Sequence, residues 1–173
     1  MNKELQMQID QALTDLISVL FSIEQDKINV VPFEGSWTAG QLAMHMIMSN
    51  GGFADLINGP VADTHRDPSQ HVDQLRSFLN FNIKFESPEF VRPPKKDYDK
   101  SDLVVSLSEI KTKLNRALEK PDLSKTCLAF EIPVIGYLTQ LEAAYFVLFH
   151  TQRHIHQLRN IAGKLVHHDL TLT

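Results

Sequence analysis

Three histidines define the chemistry open to this chain. His150 and His154 lie in the stretch from Gly136 to Ala162, GYLTQLEAAYFVLFHTQRHIHQLRNIA. Residues four apart on an α-helix diverge by only about 40° and sit one turn apart, so both imidazoles face the same way. Ala143, Val147, Leu158 and Ile161 fall within a quadrant of His150 and form an apolar stripe of the kind that faces a core. Two histidines at this spacing are half of a common metal-ligand arrangement, because the helix holds their ring nitrogens close enough to share one ion. His45 falls on the inward face of a different helix. Three neutral imidazoles from two helices can hold a divalent ion and leave positions for water or substrate, which is the form of a catalytic site.

The competing reading is that each inward histidine is a core residue whose nitrogens are satisfied by neighbours, as buried polar groups ordinarily are. For a lone histidine that reading is the stronger. Three together leave several donors and acceptors to satisfy in a small volume, whereas one metal takes three acceptors at once. The metal reading requires the helix of His45 to pack against the helix of His150 and His154.

Other polar residues border this group. His156 points about 240° away from His150, into the polar sector with Gln152 and Arg159, and is expected to be solvated. His65 and His71 fall in or beside a loop and are expected to be exposed rather than liganding. Gln41, Arg153 and Gln157 lie near the histidine face, where they could orient the ligands or contact a substrate carboxylate. Arg153 could equally snorkel to water. Glu142 sits two turns from His150 and to the side, and is not assigned as a base. No Ser-His-Asp arrangement, glycine-rich phosphate loop or HExxH sequence is present, so the histidine cluster is the catalytic candidate and no further catalytic residue is identified. Cys127, the single cysteine, precludes an internal disulfide and reads, beside Leu128, Ala129 and Phe130, as a small buried apolar residue.

Periodicity indicates which elements must position these side chains. Residues 3–25 read as an amphipathic helix through Leu5, Ile9, Ala12, Leu16, Leu20 and Ile23. Thr38-Ala-Gly-Gln41 matches a capping box and opens a second helix, whose inward face runs through Leu42, His45, Phe53 and Leu56 until Asn58-Gly59-Pro60 ends it. Helical spacing recurs over 69–85. Pro88, Pro93 and Pro94 make 86–100 an irregular crossing segment, and a further helix runs from Asp102 to Lys120, stopped by Pro121. Residues 126–134 suit a short strand or extended arm. The histidine helix is expected to begin near Leu138, with Thr139 too deep in the pattern to cap it. Four long amphipathic helices and one shorter one predict an all-α bundle, read as one domain over 1–173.

Composition narrows the function classes. The chain has 173 residues, 43% hydrophobic and 22% charged, with a net charge of −4 and a pI near 6.0. There is no basic stripe to lie along a phosphate backbone, so nucleic-acid binding is disfavoured. The start MNKELQMQIDQ lacks the cationic and apolar regions of a signal peptide, and no apolar run is long enough to span a membrane. A cytoplasmic location is expected.

Two motifs in order carry a resemblance. Trp37-Thr38-x-x-Gln41-Leu42-x-x-His45, followed by Pro133-x-x-Gly136-x-Leu138-Thr139 leading into His150-x-x-Arg153-His154-x-x-Gln157-Leu158, resembles the DinB superfamily, including its YfiT-like metal-dependent hydrolases. The resemblance implies a four-helix bundle of up-down-down-up topology with a long crossing connection, and often a homodimer. It also implies a divalent metal, commonly zinc or nickel, held at His45, His150 and His154. Family members of known activity include transferases and isomerases that use low-molecular-weight bacterial thiols such as bacillithiol or mycothiol. The implied function is thus thiol-dependent S-transfer or hydrolysis of a small molecule, with the metal activating a thiol or water. A non-catalytic metal-binding or stress-related interaction bundle is the alternative.

Overall fold

The computed structural model describes residues 2–120 and 122–170. Helix α1 spans Asn2–Ser22, α2 Ala39–Asn50, α3 Phe53–Asn58, α4 Val72–Arg76, α5 Lys100–Ala117 and α6 Gln140–Leu170. Two-residue strands β1, Val61–Ala62, and β2, Thr126–Cys127, pair antiparallel. The architecture is the expected all-α bundle, and Leu5, Ile9, Leu13, Leu16 and Leu20 of α1 bury the predicted stripe against Leu103, Leu107 and Leu114 of α5 and the inward face of α6.

Side-chain pairings give the directions of the helices. Gln6 Nε2 donates to the Asn115 carbonyl, Lys111 Nζ to Thr14 Oγ1, and Lys100 Nζ to the Phe21 carbonyl, so numbers rise along α1 as they fall along α5 and the two are antiparallel. Gly40 lies against Tyr98, just ahead of α5, and Gly51 near Ile110, so α2 and α5 run parallel. His45 meets His154, Asn50 meets Thr151 and Phe53 meets Phe146, which makes α6 antiparallel to α2. The topology is up-down-down-up. Parallel α2 and α5 oblige the chain to return along the bundle between them, and residues 59–99 do so. At Gly40 a Cβ would sit 3.0 Å from the Tyr98 ring and 3.1 Å from Asn29 Oδ1, so a side chain there would push back the end of this return where α2 approaches it.

Two expectations about helix length are corrected. The second helix is not continuous to Asn58. It ends at Asn50, where the Gly51 N–H bonds the Ile47 carbonyl, and restarts at Phe53, because two adjacent glycines weaken helix at that point. The spacing over 69–85 yields only α4 and a 3₁₀ turn at Ser77–Leu79. Beyond it, Asn80 Oδ1 accepts from the Asn82 N–H, and Arg153 binds the Phe78, Asn80 and Ile83 carbonyls, so these groups are withdrawn from helical bonding. Helix α5 starts at Lys100 behind an Asp99 cap that accepts from Ser101 and Asp102, and ends at Ala117. Pro121, the expected stop, lies outside the described residues. Among the described residues no helix is long and apolar enough to cross a membrane.

Candidate metal centre

Two capping boxes fix the helices that carry the histidines. On α2 the predicted one is present: Thr38 Oγ1 accepts from the Gln41 N–H and Gln41 Oε1 accepts from the Thr38 N–H, both at 3.0 Å. Gln41 is thereby committed to the cap. Helix α6 has a second box. Thr139 Oγ1 accepts from the Glu142 N–H at 3.1 Å, and Glu142 Oε2 accepts from the Thr139 N–H at 2.9 Å. Thr139, expected to lie too deep to cap, is the cap, because the helix begins two residues later than expected. The next orphan donors are also satisfied: Gln140 N–H bonds the Lys125 carbonyl and Leu141 N–H the Leu123 carbonyl.

The Glu142 carboxylate does more than cap. Its side chain is fully buried and accepts from Arg66 at 2.6 and 2.7 Å and from the His71 N–H at 2.8 Å. Burial pushes its pKa up, but the Arg66 guanidinium and the two backbone donors outweigh this and hold it below the usual carboxylate value. This pair ties the 63–71 segment to the first turn of α6.

About two to three turns along the same helix, the histidines converge. His45 Nε2 is 3.4 Å from His150 Nε2, and His154 Nε2 is 3.1 Å from His150 Nε2. The potential ligand atoms of all three lie within 4.8 Å of one another. Two nitrogens each about 2.1 Å from one zinc ion would be about 3.0 Å apart at a right angle and about 3.4 Å apart at the tetrahedral angle. The His45–His150 and His150–His154 spacings fall in that interval.

Hydrogen bonds on the far side of two rings set their tautomers. His45 Nδ1 lies 2.8 Å from the Val91 carbonyl and His154 Nδ1 lies 3.0 Å from Gln157 Oε1. Both partners can only accept, so each Nδ1 carries the proton and each Nε2 presents a lone pair to the centre. His150 Nδ1 is buried with no partner. With the neighbouring lone pairs fixed, the protein by itself satisfies this trio only by placing the His150 proton on Nε2, which leaves Nδ1 an unpaired acceptor. A divalent ion would take all three Nε2 lone pairs, with the His150 proton then on Nδ1; the three Nε2 atoms fit such an ion, while Nδ1 is unpaired in either case. The donor set contains three imidazoles and no carboxylate. The ion's charge would therefore not be offset by its protein ligands, which favours an anionic further ligand.

The surroundings are dry and aromatic. His45, His150 and His154 are 2%, 7% and 6% exposed. Trp37 packs 5.1 Å from His45, Phe146 stacks 5.3 Å from His150, and the Phe78 ring meets His150 edge-on at 5.6 Å. Burial lowers all three histidine pKa values. That of His154 falls to about 3, that of His150 falls well below the ordinary value with the other two histidines adding to the effect, and in His45 the Val91 carbonyl opposes the shift. The rings are neutral at pH 7, as ligation requires.

The structure thus brings together the three histidines singled out from spacing and leaves the others apart. His65 is exposed, and half-buried His71 contributes its backbone N–H to Glu142. His156 is exposed as expected, with its ring stacked at 4.1 Å on Phe81. Of the bordering residues, Gln157 orients His154, whereas half-buried Arg153 spends its guanidinium on three backbone carbonyls. Cys127 is buried, and burial pushes its thiol up to about 11. Spacing alone missed the Glu142 cap, although Thr139-x-x-Glu142 is itself a capping-box pattern. It also missed Val91, whose carbonyl leaves no trace in residue type.

The family model described as the DinB superfamily matches residues 8–158. Neither the curated proteins nor the solved structures give a match to the chain.

Proposed function

The chain belongs to the DinB superfamily, and from that premise we propose that it is a divalent-metal-dependent enzyme acting on a small molecule, with His45, His150 and His154 as the metal ligands. The observation that carries this reading is the convergence of three Nε2 atoms, two of them held as lone-pair donors by Val91 and Gln157. Zinc or nickel suits an all-imidazole donor set. When bound, the ion would act as a Lewis acid favouring the deprotonated form of a thiol or water. The chain's own residues orient the imidazoles, and Trp37, Phe78 and Phe146 keep water from the site. No carboxylate belongs to the histidine group, and Glu142 is committed to Arg66, so proton removal rests on the cation rather than on a side-chain base. S-transfer from a low-molecular-weight thiol, or hydrolysis, is the reaction class that follows, in a cytoplasmic homodimer.

The test is metal analysis of untagged protein beside His45→Ala and His154→Ala, then assays of thiol conjugation and of ester or amide hydrolysis on the zinc- and nickel-loaded forms. Near-stoichiometric metal lost in both variants, with turnover in either assay, supports the enzyme. A second reading, a bundle in which the ion serves stability alone, draws on the depth of burial of the histidines. It predicts metal binding and a higher melting temperature with no turnover in any assay.

A further inference from the structure

Every ligand is nearly sealed from solvent, so any ion or small molecule needs a way in. The segment over 78–91 connects two of the ligands directly. At one end the Phe78 ring packs on His150, and at the other the Val91 carbonyl receives the His45 Nδ1–H. Between them, residues 80–86 are all exposed, and no α-helix or strand forms. The backbone bonds along this span are local turns, such as Asn80 N–H to the Ser77 carbonyl and Ile83 N–H to the Asn80 carbonyl. What holds the span to the bundle is side chains of α6. Arg153 donates to the Phe78, Asn80 and Ile83 carbonyls at 3.0, 3.2 and 2.5 Å, and its guanidinium lies 4.8 Å over the Phe85 ring. One turn on, His156 stacks on Phe81 with the rings 6° from coplanar. These two residues flank His154, so the fastening and the ligand share one rigid turn.

We propose that residues 78–91 are a strap that closes the histidine site, and that Arg153 is its latch, with the Phe81–His156 stack as a second fastening. The arrangement explains why an arginine between two metal-ligand candidates spends its donors on main-chain carbonyls. A strap without a backbone ladder opens by local unfolding rather than by moving a helix. Opening withdraws Phe78 from His150 while the bundle stays intact. The role assigned to the histidine group beneath rests on the metal-site reading, but the latch itself does not.

The experiment uses metal-free full-length protein, so that it reports on the strap whether or not an ion binds. Native protein, Arg153→Ala and Phe81→Ala are treated with diethylpyrocarbonate, and modification of His150 and His154 is followed by peptide mass spectrometry beside helical circular dichroism. Net hydrogen bonds of about 0.5–1.5 kcal/mol each make an about tenfold or greater acceleration in Arg153→Ala the expected result, with a smaller acceleration in Phe81→Ala. Rates equal to native in Arg153→Ala overturn the latch. If Arg153→Ala loses helix, the exposed Phe81→Ala change decides: native rates there overturn the strap. Zinc-loaded protein stripped with a chelator supplies the second arm. Faster zinc release in both variants supports gating, whereas unchanged release with faster histidine modification overturns the gating role. Native protein that takes up no zinc refutes the metal reading and leaves the modification result standing.

Discussion

The imidazoles of His45 and His150 meet across 105 positions of sequence with their Nε2 atoms 3.4 Å apart, although neither residue is placed there by its immediate neighbours. Their meeting depends on α2 and α6 running antiparallel at matched height, and on a tautomer of His45 fixed from outside both helices.

In metal-free protein His150 carries a buried nitrogen without a partner. His150→Leu fills similar space and removes that nitrogen, but it also removes the Nε2–H that faces His45 Nε2 and His154 Nε2, so two buried acceptors lose their donor and the unfolding free energy in chelator is expected to fall by about 1 kcal/mol. Added zinc should then no longer stabilise. Urea titrations with and without zinc read both effects, and a metal-free variant more stable than native refutes the Nε2 proton assigned to His150.

The acid response of the metal-free protein follows from the depressed histidine pKa values. An unfolded histidine takes up its proton near 6.5, while His154 holds out to about 3 and His150 lower than its ordinary value. The unfolded state then binds more protons, so stability is full above about 6.5 and falls as pH drops below it, by up to about 1.4 kcal/mol per pH unit for each such group. Urea midpoints measured from pH 7.5 down to 4 should decline, and less steeply in His150→Leu.

Gln157 acts on the metal only through His154. Gln157→Leu should leave the fold intact and weaken zinc affinity about 10- to 100-fold, as loss of an orienting partner does. Competition against a chromogenic chelator measures it; Gln157→Glu, which retains an acceptor, should bind much closer to native.

The Arg66–Glu142 pair should be asymmetric under substitution. Arg66→Ala strands a fully buried carboxylate and is expected to cost about 3 kcal/mol, moderated by the two backbone donors that remain. Replacing both together, Arg66→Met with Glu142→Gln, should cost less than Arg66→Ala alone. A thermal-melt double-mutant cycle tests this.

Much of this molecule is legible from spacing. Apolar steps in α1 and α5, the Thr38–Gln41 box and the inward direction of all three histidines follow from a 3.6-residue repeat acting locally. What spacing could not reveal is where local preference loses to a distant partner. The periodic run after Ser69 stops being helical because Arg153, over seventy positions away, binds its carbonyls. The late start of α6 is a boundary effect, decided by its first donors finding the Lys125 and Leu123 carbonyls, whereas the break at Gly51-Gly52 follows from two adjacent glycines.

Val91 contributes to the histidine centre through its main chain alone, as the acceptor for the His45 Nδ1–H. Nineteen other residue types carry the same carbonyl. Substitution can therefore alter the side chain at this position, within the limits of a buried site, while the imidazole keeps its proton on the same nitrogen. Two chains could share an identical centre here and show no common letter, so a search for related proteins keyed to residue identity would be blind to the group that orients His45.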